Sequence, residues 1–286
     1  MLWSRSGSSR RPAVSVSIPK GDTVFLAATR LNDALAGQTL RTTDFRVPRY
    51  ATLDLSGKVV ANVVPRGKHL LFRIDDGRTI HTHFKMEGSW HLYRPGQSWR
   101  GPDHEVRAVL ATDDRVAVGF RLPVLEVIPT EKESDVLGYL GPDPLRDDWD
   151  PSAAVRRLRV HADVEIGTVV IDQSVVAGPG NIYKSEVCFL RGVHPRTLVR
   201  DVDDLAGFVA LLARLMQANR TTGMQITTGD TRRGRMQWVY GRGGEPCRRC
   251  RTRIERAMQA GYGGERVTYW CPTCQPRKQA PADQQN

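Results

Sequence analysis

Cys247-Arg248-Arg249-Cys250 and Cys271-Pro272-Thr273-Cys274 are two Cys-x-x-Cys knuckles separated by 20 residues. A knuckle offers two thiolates from one tight turn, and two knuckles complete a tetrahedral four-sulfur site. Soft ligands in four-coordinate geometry suit zinc. With every position filled by protein, no place is left for a reactive water, so the expected ion is one structural Zn2+ held by Cys247, Cys250, Cys271 and Cys274. A pair of disulfides is the competing reading, and no secretory signal supports it. Between the knuckles lie turn-like Gly261-Tyr262-Gly263-Gly264 and strand-like Val267-Thr268-Tyr269-Trp270. That is the pattern of a zinc ribbon, a β-hairpin closed by its metal. Arg248, Arg249, Arg251, Arg253, Arg256 and Arg266 make it basic, and a rigid basic hairpin can hold phosphates.

The rest of the chain has the same bias. It carries 42 Lys+Arg against 31 Asp+Glu over 286 residues, a formal net charge of +11. Such an excess points to a polyanionic partner, nucleic acid before a membrane surface. No run of about 18 apolar residues is present, so no membrane span is expected. The fifth cysteine, Cys188, lies in apolar Val187-Cys188-Phe189-Leu190 and reads as a buried structural thiol. Reduced thiols and the missing apolar core of a signal peptide point to the cytoplasm.

Working back toward the N-terminus, the periodicity divides the chain. Residues 1–18 are rich in Ser and Arg without helical or strand period and read as a disordered extension. Val24, Ala27, Ala28, Leu31 and Leu35 recur at helical spacing, with Gly37 placed as a C-terminal cap. Short strands are expected at Lys58–Val64, His69–Ile74, Thr79–Phe84, Val106–Ala111 and Arg115–Phe120, separated by turn signals. They predict a β-sandwich or barrel. Beyond Pro129 the period turns helical, at Glu131–Leu140, Ser152–Arg159 and most clearly Asp203–Arg220. The expected class is α+β. Its divisions are a β-sandwich over 19–130, a helical domain over 131–244, the ribbon over 245–276 and a disordered tail over 277–286.

Three stretches carry candidate chemistry. Gly178-Pro179-Gly180-Asn181-Ile182-Tyr183-Lys184-Ser185-Glu186 places an amide side chain where a helix begins. Free N–H groups there make a phosphate site, and an ordinary N-cap is the equal alternative. Pro65-Arg66-Gly67-Lys68-His69 sets basic residues around a glycine between strands, either a phosphate contact or a charged turn. Thr82 to Trp90 ends a strand in a loop carrying Met86 among polar neighbours. An apolar side chain there is a wedge for a base stack or a packing residue.

Taken in order from Pro19 to about Gln275, these motifs resemble the formamidopyrimidine-DNA glycosylase/endonuclease VIII family of base-excision repair enzymes. The most specific matches are GNIYKSE at Gly180–Glu186, VYGRGGEPCRRC at Val239–Cys250 and VTYWCPTC at Val267–Cys274. The run Asp230–Arg235 and the loop RVPRYATLDL at Arg46–Leu55 look most like the actinobacterial endonuclease VIII branch. The resemblance implies an N-terminal β-sandwich, a helix–two-turn–helix domain and a zinc ribbon, with damaged or abasic DNA in the cleft. Asn181, Lys68 and Arg266 then resemble the family's phosphate-gripping residues, and Met86 its void-filling wedge.

The chemistry implied is amine attack on C1′ of a flipped nucleotide, followed by elimination through a Schiff base. In the family the amine is an N-terminal proline followed by an acid/base glutamate. Here Pro19 matches the proline but follows 18 residues, and Lys20 stands in the glutamate's place. Val118-Gly119-Phe120-Arg121-Leu122-Pro123 also lacks the usual Arg/Phe pair. Candidate catalytic residues are therefore Pro19, Lys20 and Lys68. The expected function is a DNA glycosylase with abasic-site lyase activity, working as a monomer. The alternatives are a damage-binding member of the same fold with weak catalysis, and a zinc-ribbon transcription factor.

Overall fold

The computed structural model describes residues 21–85 and 87–277. Pro19, Lys20, Met86 and the expected disordered extension lie outside the described residues, as does all of the tail after Arg277. The described residues open with α1 (Gly21–Leu35), followed by β1 (Thr42–Phe45), β2 (Val60–Arg66), β3 (His69–Ile74) and β4 (Arg78–His83). Then come β5 (Ser89–Tyr93), β6 (Val106–Ala111), β7 (Val116–Phe120) and β8 (Val124–Pro129). All pairings are antiparallel. They build two four-stranded sheets, ordered β1-β6-β7-β5 and β2-β3-β4-β8. The sandwich is present as expected.

Its core is made by inward residues of both sheets, among them Leu70, Phe72, Ile80, Leu110 and Ala117, closed by Val24, Ala28, Leu31 and Leu35 of α1. That face of α1 is the helical period visible in the sequence. The neighbouring Phe25 packs instead against the helical core. The first helix is thus wedged between the two domains.

Five helices follow: α2 (Glu133–Leu137), α3 (Pro151–Val160), α4 (Ile166–Val169), α5 (Asn181–Leu190) and α6 (Leu205–Asn219). Capping fixes two of their starts. The Asp150 carboxylate accepts from Ala153 N at 3.0 Å and the Asp204 carboxylate from Gly207 N at 2.8 Å. The expected helix over Glu131–Leu140 shrinks to α2, a single turn and a half entered through a 3-10 turn at Thr130–Lys132. Between α4 and α5 the backbone makes two successive turns, which gives the helix–two-turn–helix arrangement. Phe208, Val209, Leu212 and Met216 of α6 join Tyr183, Val187 and Cys188 of α5 in one buried cluster. Cys188 is fully buried, and burial pushes its thiol up to about 12. Among the described residues, no helix is long and apolar enough to cross a membrane.

The chain ends in β9 (Glu255–Gln259) and β10 (Arg266–Trp270), a two-stranded antiparallel hairpin. Cys247, Ile254 and Cys271 form its small core together with Phe189 of α5 and Val239.

Candidate nucleic-acid interface

The four cysteines close the ribbon. Their sulfurs all lie within 4.8 Å of one another, and they are the one such cluster among the described residues. Cys247 and Cys274 are 3.9 Å apart, Cys250 and Cys271 3.4 Å. Zn–S bonds of about 2.3 Å set tetrahedral sulfurs about 3.8 Å apart, so the donor set fits zinc. Neither spacing is a sulfur–sulfur bond. Backbone N–H groups of Arg249 and Cys274 point at Cys247 Sγ and Cys271 Sγ, at 3.4 and 3.5 Å, and steady the thiolates.

Lys68 sits in the two-residue turn between β2 and β3, where Arg66 pairs with His69. Gly67 makes that turn possible. Its φ is +58°, and an added Cβ would stand 3.3 Å from the Ala177 Cβ. The hairpin tip therefore presses against the loop that leads into α5. The buried Asp143 carboxylate fastens it there, accepting from Gly67 N at 2.8 Å and from Leu145 N at 2.9 Å.

Asn181 is the first residue of α5, with Gly180 as a cap that offers no side chain. The N-cap alternative for Asn181 is thereby excluded. Its Nδ2 donates instead to Val267 O of β10 at 2.7 Å, and its amide also meets the Tyr240 hydroxyl. Its Oδ1 is buried without a protein partner. The loop before it is held by Gln173, whose Oε1 accepts from Gly178 N at 2.9 Å.

Arg266 opens β10, one residue before the strand carbonyl that Asn181 holds, and is exposed. It lies close enough to Lys68 and Lys184 to depress both amines. Lys68 is half-buried, and burial pushes its ammonium down to about 7, with Arg266 adding to the shift. The structure thus brings Lys68, Asn181 and Arg266 together from three domains. Cations held this close repel one another, and an anion between them would relieve that repulsion.

The sequence reading missed what holds this junction. Lys184 is fully buried, and its Nζ donates to the Thr268 hydroxyl at 2.5 Å. Burial brings its amine down to about 8. Thr268 donates to Gln259 Oε1 at 2.9 Å, and Gln259 Nε2 donates to Glu165 at 2.8 Å and Pro195 O at 3.0 Å. Gly167 leaves room for this amide, since a Cβ there would approach Gln259 Oε1 to 2.7 Å. The hairpin is thereby tied through its interior to α4 and α5. Glu186, also in the GNIYKSE motif, is fully buried and accepts from the backbone N–H of Trp238, Val239 and Tyr240 at 2.8–2.9 Å. A lysine and a glutamate in a helix that ends in apolar Val187-Cys188-Phe189-Leu190 were the available signals, since such residues are buried only when paired.

Three family models match along the chain. They are the formamidopyrimidine-DNA glycosylase N-terminal domain over residues 18–122, its H2TH domain over 140–222, and the zinc finger found in FPG and IleRS over 244–277. The probable endonuclease 8 2 of Streptomyces coelicolor is 50% identical over 261 residues, covering 90% of this chain and 94% of that protein. The DNA-(apurinic or apyrimidinic site) lyase Nei2 of Mycolicibacterium smegmatis is 47% identical over 258 residues, covering 90% and 99%. The Lactococcus lactis formamidopyrimidine-DNA glycosylase, solved non-covalently bound to abasic-site DNA, superposes with a TM-score of 0.75 at 25% identity. That match covers 90% of this chain and 100% of the solved one. With its three domains in the family's order and half of 261 aligned residues identical to an actinobacterial endonuclease 8, this chain belongs to the formamidopyrimidine-DNA glycosylase/endonuclease VIII family.

Proposed function

We propose that the chain is a base-excision repair glycosylase with abasic-site lyase activity, acting on DNA that carries oxidised bases or abasic sites. The observation that carries this reading is the meeting of Lys68, Asn181 and Arg266 at one junction of sandwich, helical domain and ribbon. Phosphates flanking a lesion are gripped there from three sides. The damaged nucleotide turns out of the stack, because its glycosidic carbon is inaccessible inside the duplex. Met86 follows it as the wedge. The zinc holds the ribbon's shape and takes no part in bond making.

An amine then attacks C1′ and the base leaves. The resulting iminium draws electrons from the neighbouring carbon, so the phosphates are eliminated. Three amines are candidates: Pro19, which acts only when its nitrogen is free, Lys20 and Lys68. Burial brings the Lys68 amine to about 7 in the free protein, and a phosphate beside it restores the charge, which favours gripping over attack for this residue. The chain works as a monomer on chromosomal DNA in the cytoplasm.

Borohydride trapping on an abasic-site duplex tests the reading. A covalent adduct is expected, and its mapped residue identifies the amine. Tight abasic-site binding with neither adduct nor strand cleavage, at any pH between 6 and 9, would leave a binding protein and not a lyase.

A further inference from the structure

Beside Lys68 a line of hydrogen-bonded side chains leaves the cleft and runs through the sandwich. Tyr139 is half-exposed in the connection after α2, where the buried Asp172 of the α4–α5 loop is also near. Its hydroxyl stands 3.0 Å from His69 Nε2. His69 Nδ1 is 2.8 Å from His81 Nε2, and His81 Nδ1 is 3.1 Å from Glu126 Oε2. The two imidazoles are 7% and 2% exposed, whereas the Glu126 side chain on β8 is 41% exposed. A buried path thus joins a cleft-side hydroxyl to a carboxylate in contact with solvent.

The chain has a direction. A carboxylate only accepts, so His81 carries its proton on Nδ1 and accepts at Nε2. His69 must then donate from Nδ1, which leaves its Nε2 to accept the Tyr139 proton. Burial, with His83, His81 and Lys68 nearby, pushes the His69 imidazole down to about 2, so it stays neutral. The edge of His83 packs on the same ring at 4.6 Å, with Lys68 and Lys85 as its cationic neighbours. These cations discourage any positive charge from resting on the path, which favours concerted transfer over a stored imidazolium.

We propose that Tyr139, His69, His81 and Glu126 form a proton exit from the cleft, with Tyr139 a further catalytic residue that takes the proton released at elimination. This inference rests on the lyase reading. In the step, the C–H bond beside the iminium breaks and its electron pair forms the carbon–carbon double bond. The phosphate departs with the electrons of its own C–O bond. The proton goes to the Tyr139 oxygen, the Tyr139 proton to His69 Nε2, the His69 Nδ1 proton to His81 Nε2, and the His81 Nδ1 proton to Glu126, which releases it to water. Every group ends with the number of protons it began with, and each histidine passes from the Nδ1–H to the Nε2–H tautomer.

Two variants stop the transfer with little change of volume: Tyr139→Phe removes the entrance together with its bond to His69, and Glu126→Gln leaves an acceptor that takes no proton. Single-turnover assays of the full chain on an abasic-site duplex should show elimination slowed about tenfold or more in both. Borohydride-trapped adduct should persist and abasic-site affinity stay within about twofold. Elimination at the wild-type rate overturns the proposal, and so does a parallel fall of adduct, elimination and affinity, which marks a structural role. Nitrogen-15 spectra of the histidines give an independent reading: both His69 and His81 should be Nδ1–H in the free protein. A His69 that is Nε2–H breaks the path regardless of activity. A wild-type chain giving neither adduct nor cleavage sinks the lyase reading and this role for Tyr139, while the tautomers still report whether the path exists.

Discussion

Two hairpins deliver a cation to the same spot, and they are held in place by different means. The β2–β3 hairpin carrying Lys68 belongs to a four-stranded sheet, and five of the six residues of β3 are buried in the sandwich. The β9–β10 hairpin carrying Arg266 has two strands and a handful of buried side chains. A lone two-stranded hairpin is marginal in water. It is fixed at its cysteine end by the metal and along its inner face by the Lys184–Thr268–Gln259–Glu165 chain. One phosphate contact is thus secured by apolar burial, the other by ligation and buried polar bonds. The two should fail under different insults.

Removing zinc is the largest such insult. Structural zinc sites contribute about 10–16 kcal/mol of apparent binding free energy, far more than this small core can replace. Cys271→Ala should abolish zinc binding and disorder the ribbon, with abasic-site affinity weakened strongly and the sandwich left folded. Zinc content, circular dichroism and duplex titration at fixed salt measure the three effects. A variant that binds DNA as tightly as wild type would mean that Arg266 needs no zinc to find its phosphate.

Breaking the inner tie instead should loosen the hairpin with its metal still bound. Gln259→Ala leaves the buried Thr268 hydroxyl without its acceptor, while Glu165 keeps Arg196 and the Pro195 carbonyl keeps Gly167 N. Leaving one buried polar group unpaired costs roughly 1–3 kcal/mol, and a loss of that size in stability is expected. Thermal unfolding checks it. Unchanged stability with full zinc occupancy would show that the metal alone fixes the ribbon.

This division also explains what was legible in the sequence. The knuckles, the strand before Cys271 and the glycine turn predicted the ribbon because ligation demands fixed spacing. Strands β3, β4, β6 and β7, and the inner part of β2, were legible because burial selects apolar side chains. The three missed strands of the sandwich, β1, β5 and β8, are all sheet edges, and β9 was implied only as the unnamed second strand of the hairpin. In β1 only Phe45 is buried, so almost no alternation survives to be read. Helix α4, a single turn, is too short to show a period. Asn181, Lys68 and Arg266 were identified by resemblance; the physical reading alone left Asn181 even with an N-cap, favoured a charged turn at Lys68, and gave Arg266 as one of six arginines on a basic hairpin. Partners 84 to 94 residues away, such as Lys184–Thr268 and Gln259–Glu165, leave no local pattern at all.

Contacts at the spot itself should matter less than the supports beneath them. Asn181→Ala removes the amide that joins α5 to β10, with an expected loss of roughly 1–3 kcal/mol in abasic-site affinity. An equal loss on undamaged duplex would assign Asn181 to general backbone binding. Arg266→Ala should weaken binding more evenly and reduce the salt dependence by about one phosphate contact. An unchanged salt slope places Arg266 outside the interface.

The finest test asks whether the two hairpins sense each other. Lys68 titrates near 7 in the free protein, well below an ordinary lysine, because of burial first and Arg266 second. Between about 7 and the usual lysine range near 10.4, the folded chain holds fewer protons here than the unfolded one. Lys68 therefore contributes stability that is present at high pH and falls away as pH drops through this window toward 7. A phosphate placed beside the amine favours the charged form and raises its pKa again. At pH 8, binding of abasic-site DNA should then take up close to one proton, and affinity should fall as pH rises further. Calorimetry in two buffers of different ionisation enthalpy measures the uptake. Lys68→Met should abolish it. Arg266→Ala should reduce it, because without the guanidinium the free amine already holds more of its proton at pH 8. Equal uptake in wild type and Arg266→Ala would mean that burial alone sets Lys68, and that the two hairpins meet only through the DNA.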